Sequence, residues 1–273
     1  MIKFLHKLGP GLLFAGAAIG VSHLVQSTKA GSNFGFGLLW ALLLINLIKY
    51  PFFQYGPRYA SATGENLLEG YKKLGEWTLR IYAILTLTTM FTIQTAVTIV
   101  TAGIASSLFG IELSSELWAV IILGFCFLLL SVGKYNLLDK MMKLIIILLS
   151  ISTLLAVGIA FNNSSGEIPW TQVFPTSNVE VIFLIAFMGW MPAPLDVSIW
   201  HSLWAVEKQK TTDVFNKKSA LLDFNIGYFS TIILGLCFLF LGGLVMYGSG
   251  KSFSDNGGAV SYTHLTLPTT GSV

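Results

Sequence analysis

Two short stretches of this sequence place polar or helix-breaking residues inside long apolar runs. One reads GVSH at residues 20–23, and the other reads MPAPLD at residues 191–196. Neutral imidazole and thioether are borderline-to-soft ligands that suit manganese, iron, cobalt or zinc better than calcium, and a carboxylate adds a charged oxygen ligand. The candidate metal ligands are the side chains of His23, Met191 and Asp196 and the backbone carbonyl of Gly20.

Each candidate also has a purely structural explanation. The glycines around residue 20 suit a close packing face on a continuous helix, with His23 satisfied by a neighbouring group. Met191 in an apolar helix is more often a packing residue than a ligand. Asp196 can cap the half-helix that follows it and complement its positive end, which is compatible with a ligand role.

Other positions in the same apolar runs are candidates for the path of a transported ion. Two prolines of the second stretch each remove a backbone donor, so the helix that contains them must kink or unwind. A third apolar run, at 80–109, is rich in threonine, and its hydroxyls either line a hydrated path or bond to their own backbone carbonyls, which we favour. The pathway candidates are Ser22, Gln94, Pro192 and Pro194.

Membrane-spanning helices are the elements that must position these residues. With 54% hydrophobic and 11% charged residues and a mean hydropathy of +0.73, the chain is too apolar for an ordinary soluble protein. A spanning helix needs about 20 mostly apolar residues. Seven stretches qualify: 11–30, 34–56, 80–109, 117–133, 141–161, 179–204 and 221–247.

Interruptions in the first and sixth of these helices predict the fold and the place of the site. Irregular backbone at mid-membrane depth survives where it lines a cavity or is buried in protein. Paired broken helices are typical of transporters built from inverted repeats, with the site where the breaks face each other. We therefore expect an all-α integral membrane protein of the broken-helix, inverted-repeat class, with membrane lipid as its surroundings.

The basic residues predict the orientation of the chain. Lysine and arginine concentrate before span 1, around the 2–3 and 4–5 connections and in the 6–7 loop, which places the N-terminus in the cytoplasm and the protein in the inner membrane. Lys49 lies near the inner end of the predicted span 2, where its side chain can snorkel. The net charge of +3 therefore reflects topology, and we expect no nucleic-acid partner.

Soluble-enzyme motifs are absent from the sequence, including GxSxG, HExxH, a phosphate-binding loop and a CxxC pair. Its two cysteines, Cys126 and Cys237, fall inside predicted spans and suit small apolar core positions. The loops are short, although residues 57–79 can hold a short amphipathic helix at the cytoplasmic surface. We expect no enzymatic activity and no resident cofactor, with any metal being the transported substrate.

Residues 9–40, GPGLLFAGAAIGVSHLVQSTKAGSNFGFGLLW, resemble the first helix of the Nramp divalent-metal transporters. That helix reads GPG, a DPGN motif, AG and G-x-LLW at matching spacing. MGWMPAP with WHS beyond it looks like the family's sixth helix, whose metal-binding core is Met-Pro. ATGENLLE, ASSLFGIE and LLDKMMK extend the resemblance over about residues 8 to 250. It implies divalent metal transport by alternating access with protons as the coupling ion.

Several positions depart from the family pattern. Gly20 stands where the family has its metal-binding aspartate, and His23 stands where it has asparagine. Gln94 and Val97 fall where it has acidic residues associated with proton movement, so we expect weaker proton coupling because neither side chain can accept a proton. In helix 6, alignment on Met191-Pro192 matches the family's Met-Pro motif. Alignment on the later WHS instead places Pro194 at the position of the family's methionine.

The end of the chain differs from the rest. The piece SYTHLTLPTT resembles translated sequencing adapter, so we predict that residues 260–273 are not native and that residues 1–259 hold the first seven helices of a transporter. Two functional alternatives remain open. One is an amino-acid or other organic-solute symporter of the same superfamily, and the other is a non-transporting membrane scaffold or sensor.

Overall fold

A computed structural model describes residues 8–111, 113–163, 170–211 and 216–249. Within these ranges the regular structure is helical. The elements are α1 (Pro10–Ala18), a π-helical turn (Ser22–Ser27), α2 (Thr28–Phe34), α3 (Leu39–Thr63), α4 (Leu67–Leu74), α5 (Glu76–Phe109), α6 (Ser115–Asn163), α7 (Asn178–Trp190), α8 (Val197–Thr211) and α9 (Lys217–Val245). The N-terminal lysines Lys3 and Lys7 and the predicted tail at 260–273 lie outside the described residues.

Both predicted helix breaks are present. The first span consists of α1 and a second helical segment, Ser22–Phe34, with a bend of 47° between them. The sixth consists of α7 and α8, separated by the irregular residues 191–196, where two closely spaced prolines each remove a backbone donor. The first span is therefore interrupted at Ile19 and Gly20, so that Ser22 and His23 of GVSH lie in the π-helical turn that follows, and the sixth is interrupted at MPAPLD.

Length and composition identify the helices that can cross a membrane. In the part of the chain that the structure describes, four apolar segments qualify outright: Glu76–Phe109, Ser115–Gly133, Leu137–Asn163 and Lys217–Val245. The bent first span makes a fifth. The predicted second span is shifted, because α3 begins at Leu39 and continues through Pro51 and Pro57 to Thr63.

The predicted loop between spans 4 and 5 is wrong. Residues 134–140 are helical, and α6 runs without interruption from Ser115 to Asn163 over 49 residues. The connection contains no proline, and its leucine, lysine and methionine residues favour the helical state over a turn. The sequence SVGKYNLLDKMMK therefore joins the two apolar segments as helix.

Helix α9 lies at the centre of the packing and contacts α1, α2, α3 and α6. Two close approaches of the backbone bring the first span against it. A Cβ added at Gly11 would overlap the carbonyl of Asp223, and one added at Gly242 would overlap the carbonyl of Thr28. Small residues permit this approach, which gives α9 and the broken first span a closely packed interface.

The connection between α3 and α5 holds the short amphipathic helix that the sequence predicts. Asn66 caps α4 by accepting hydrogen bonds from Leu68 and Glu69, while the Glu69 side chain accepts from the Asn66 amide. Such a reciprocal capping box satisfies donors that the helix start would leave free. The Leu67 amide donates to Ser202 Oγ at 2.9 Å, which ties α4 to α8.

Candidate metal site

The first helix break centres on two carbonyl groups. The Ala18 carbonyl, at the end of α1, accepts the Gly20 amide at 2.9 Å and the Ser22 hydroxyl. The Gly20 carbonyl, a candidate metal ligand, instead accepts the amides of His23 at 3.2 Å and Leu24 at 3.0 Å. The carbonyl that faces the polar side chains of the break is therefore that of Ala18.

The His23 imidazole is fully buried between the first span and α9. Its Nδ1 lies 2.9 Å from the Ala18 carbonyl and 2.8 Å from Ser22 Oγ. Its Nε2 lies 3.0 Å from the Thr231 carbonyl. A carbonyl only accepts, and a neutral imidazole carries one N–H. In the tautomer that donates Nε2–H to the Thr231 carbonyl, the Nδ1 lone pair accepts from the Ser22 hydroxyl. A metal bound by that lone pair would replace this hydrogen bond.

The second break lies against the first through two side chains of the π-helical turn. Ser27 Oγ is 3.7 Å from Met191 Sδ. Ser22 Oγ is 3.3 Å from the Pro192 carbonyl. Met191 is fully buried at the end of α7. The structure therefore brings Met191 and Pro192 against Ser27 and Ser22 of the first span, while the predicted contact of His23 with the second break is not among these contacts.

Asp196 occupies a different place. It precedes α8 and lines a cavity of about 400 Å³ between α8, α4 and the start of α5, and neither His23 nor Met191 lines that cavity. The aromatic part of the lining comes from Tyr71, Trp77 and Tyr82. The Oδ1 atom of Asp196 is buried and has no hydrogen-bond partner within the described residues. Asp196 thus faces the cavity, whereas His23 faces α9.

Several polar side chains of α5 form hydrogen bonds within the helix itself. Gln94 Nε2 donates to Thr98 Oγ1 at 3.0 Å. Thr89 and Thr101 bond to carbonyls one turn earlier in the same helix, at 2.8 Å each. Back-bonding of this kind is the alternative that we favour for these threonines.

Two further predicted positions lie elsewhere. The Val97 side chain of α5 is 37% exposed, and Pro194 is partly buried in the second break.

Lys49 is a functional candidate that the sequence reasoning placed wrongly. Since α3 extends to Thr63, Lys49 lies near the middle of the helix and not near its inner end. Its ammonium donates to the carbonyls of Met188 at 3.0 Å, Gly189 at 2.7 Å and Met191 at 2.8 Å. The ammonium therefore reaches the end of α7. An ionisable side chain bound among apolar helices is a functional candidate by default.

His201 is a second residue that the sequence analysis left without a role. Its ring is fully buried and lies 5.6 Å from the Phe14 ring and 5.7 Å from the Phe224 ring, between centroids. Within the described part of the chain, neither of its nitrogens has a hydrogen-bond partner. The WHS motif was the only signal for it in the sequence.

A conventional cluster of metal-binding side chains is not present in the described ranges, where no three His, Cys, Asp or Glu residues come together. Glycine at position 20 is one reason for the lack of such a cluster. A carboxylate at that position would lie three residues before His23, at the same break. A Cβ added at Gly20 meets no atom within 4 Å. Space for the missing side chain therefore exists.

Comparison with known proteins decides the family. A family model described as "Natural resistance-associated macrophage protein-like", the Nramp model, matches residues 11–264. The chain belongs to the Nramp family. An uncharacterized protein of Pasteurella multocida (strain Pm70) is 38% identical over 255 residues, which cover 92% of this chain. The chain spans 59% of the length of that relative.

Family membership confirms the resemblance on which the sequence analysis relied. Nramp proteins are transporters and not enzymes, and they share the all-α, broken-helix, inverted-repeat fold that the two interrupted spans predict. Together with the apolar helices, the match identifies a multi-pass membrane protein. The division at residue 259 and the ligand set at the breaks stay predictions.

Proposed function

We propose that this Nramp-family protein carries divalent transition-metal cations across the membrane by alternating access. The observation that supports this most directly is the meeting of the two breaks, where Ser27 Oγ lies 3.7 Å from Met191 Sδ. Discontinuous helices that face each other at mid-membrane depth are the usual place for a transported ion. Family membership supports metal ions as the substrate class.

The ligand set is the imidazole of His23, the thioether of Met191 and a backbone carbonyl of the first break. That carbonyl is the one of Gly20 or of Ala18, each of which accepts hydrogen bonds within the break that a bound metal would replace. Nitrogen and sulfur ligands select manganese, iron, cobalt or zinc over calcium. Asp196, which lines the cavity of about 400 Å³, forms a second cation-binding position along the transport path.

The proposed location is the inner membrane, with the N-terminus on the cytoplasmic side. The cavity then connects the second break to α4, which lies at the cytoplasmic surface in this orientation. Protons are the proposed coupling ion, but with weaker coupling than in other Nramp proteins, because Gln94 and Val97 replace acidic residues. An imposed pH gradient should therefore drive uptake less strongly than in a family member that has those acids.

The test is metal uptake by vesicles that contain the whole gene product and a metal-sensitive dye. We expect quenching by at least one of manganese, iron, cobalt and zinc. Quenching by none of them would overturn the proposal. Saturable uptake of a labelled amino acid that chelators do not affect would identify a symporter for organic solutes, and binding without flux would identify a scaffold or sensor.

A further inference from the structure

Lys49 and the end of α7 form a site that the transport proposal does not use. Three backbone carbonyls, of Met188, Gly189 and Met191, surround the Lys49 ammonium at 2.7 to 3.0 Å. An ammonium has three donors, and the three carbonyls accept all of them. Lys49 itself is partly buried at the middle of α3.

The chemistry at the end of α7 explains why a cation is held there. The last carbonyls of a helix have no partner within the helix, and the irregular residues 191–196 after Trp190 do not extend it. The partial negative charge at a helix C-terminus also favours a cation.

The surroundings of Lys49 show what balances its charge. Among the described residues, no carboxylate forms an ion pair with its ammonium. The carbonyl dipoles and the end of α7 therefore act as the counter-charge. Such an arrangement of oxygen dipoles around one positive charge is a monovalent-cation site.

We propose that the carbonyls of Met188, Gly189 and Met191 form a monovalent-cation site in which the Lys49 ammonium is a tethered, resident occupant. When the lysine side chain is removed, the site takes a small primary ammonium ion in its place. The occupant joins α3 to the end of α7, so the first half of the broken sixth helix is held without a free cation. This inference goes beyond the proposed function and does not depend on metal transport.

The experiment is rescue of a Lys49→Ala variant by free amines. Alanine keeps the Cβ, and n-propylammonium supplies the missing carbons and the ammonium group. We expect the purified variant to melt at least about 5 °C below the unmodified protein, because several hydrogen bonds are lost. Addition of n-propylammonium should raise its melting temperature with saturation. Tetramethylammonium, which has no N–H donor, should not.

Controls separate this site from general effects of salt and charge. The unmodified protein and a Lys72→Ala variant, which changes an exposed lysine of α4, should show no saturable response to n-propylammonium. Equal shifts in these proteins and in Lys49→Ala would overturn the proposal.

Two further variants keep the test decisive if Lys49→Ala does not fold. Lys49→Met preserves much of the side-chain length without donors and should melt well below Lys49→Arg, which keeps the charge. A Lys49→Met variant that melts like the unmodified protein would show that the carbonyls need no cation, and it would overturn the inference.

Discussion

The Asp223 carboxylate accepts a 2.7 Å hydrogen bond from the Gly11 amide. Its second oxygen accepts the Gly9 amide at 3.0 Å. A side chain of α9 thus caps the start of α1, whose first amides have no partner within the helix. These two hydrogen bonds hold the start of α1 against α9. Broken helices take part in the movements of transporters of this fold class, so the bonds also bear on the movement of α1.

Substitution of Asp223 by asparagine should loosen α1. The amide side chain has one acceptor oxygen and no charge, so one glycine amide loses its partner. The loss of a hydrogen bond to a charged group corresponds to about 1.5–3 kcal/mol. We expect faster hydrogen exchange at residues 9–13, measured by mass spectrometry, and a lower melting temperature.

The control for Asp223 is Glu207→Gln, which removes a carboxylate that forms an exposed pair with Lys210 on α8. Exposed pairs contribute little to stability, so this variant should leave exchange at residues 9–13 unchanged. Unchanged exchange in Asp223→Asn as well would show that the carboxylate does not hold α1.

The crossing of the first span and α9 should not tolerate a methyl group. In Gly242→Ala the added Cβ would overlap the Thr28 carbonyl. Overpacking of this kind typically destabilises a protein by about 1–3 kcal/mol. The overlapped atom here belongs to the backbone, which cannot move aside as a flexible side chain can. The melting temperature of Gly242→Ala in detergent should therefore fall.

The matched substitution is Gly124→Ala on α6, where no atom lies within 4 Å of the added Cβ. Alanine favours a helix over glycine by about 0.8–1 kcal/mol. Gly124→Ala should therefore melt at the same temperature as the unmodified protein or higher. Equal destabilisation by both substitutions would contradict the packing argument.

Removal of the His23 imidazole should reduce metal uptake far more than it reduces expression. Its lone pair is the candidate ligand, and the loss of such an interaction corresponds to about 1–3 kcal/mol. The measurement is dye-detected uptake by His23→Ala, normalised to the amount of protein in the vesicles. Ser230→Ala is the control, because among the described residues the Ser230 hydroxyl bonds to the Ile226 carbonyl of its own helix, at 2.7 Å. Normal uptake by His23→Ala would rule out this ligand.

Gly20→Asp should strengthen metal binding. The position is free of neighbours, and an aspartate there restores a charged oxygen ligand where the family has one. We expect at least about a tenfold increase in the affinity for manganese, which corresponds to about 1.4 kcal/mol, in calorimetry on purified protein. Gly20→Asn, which has the same size without the charge, should bind less tightly. Equal affinities for the two variants and the unmodified protein would place the metal elsewhere.

Sequence patterns were sufficient for the features that depend on local chemistry. Pro192 and Pro194 stand only two residues apart, and this pair indicated the second break. Pro51 and Pro57, which are further apart, lie inside the continuous helix α3. The polar GVSH stretch inside an apolar run similarly indicated the first break. The short helix α4 followed from the amphipathic loop, and the family motifs in residues 9–40 indicated the Nramp family.

Tertiary structure decided which groups meet. Periodicity does not show that His23 turns toward the Thr231 carbonyl, or that Asp196 faces a cavity beside α4 and not His23. The uninterrupted helix through residues 134–140 and the extension of α3 to Thr63 moved the boundaries that the apolar runs had suggested. Lys49 shows the reason most clearly. A lysine's depth depends on where its helix ends, and its partners are carbonyls about 140 residues away in sequence, so only the packing of α3 against α7 could bring them together.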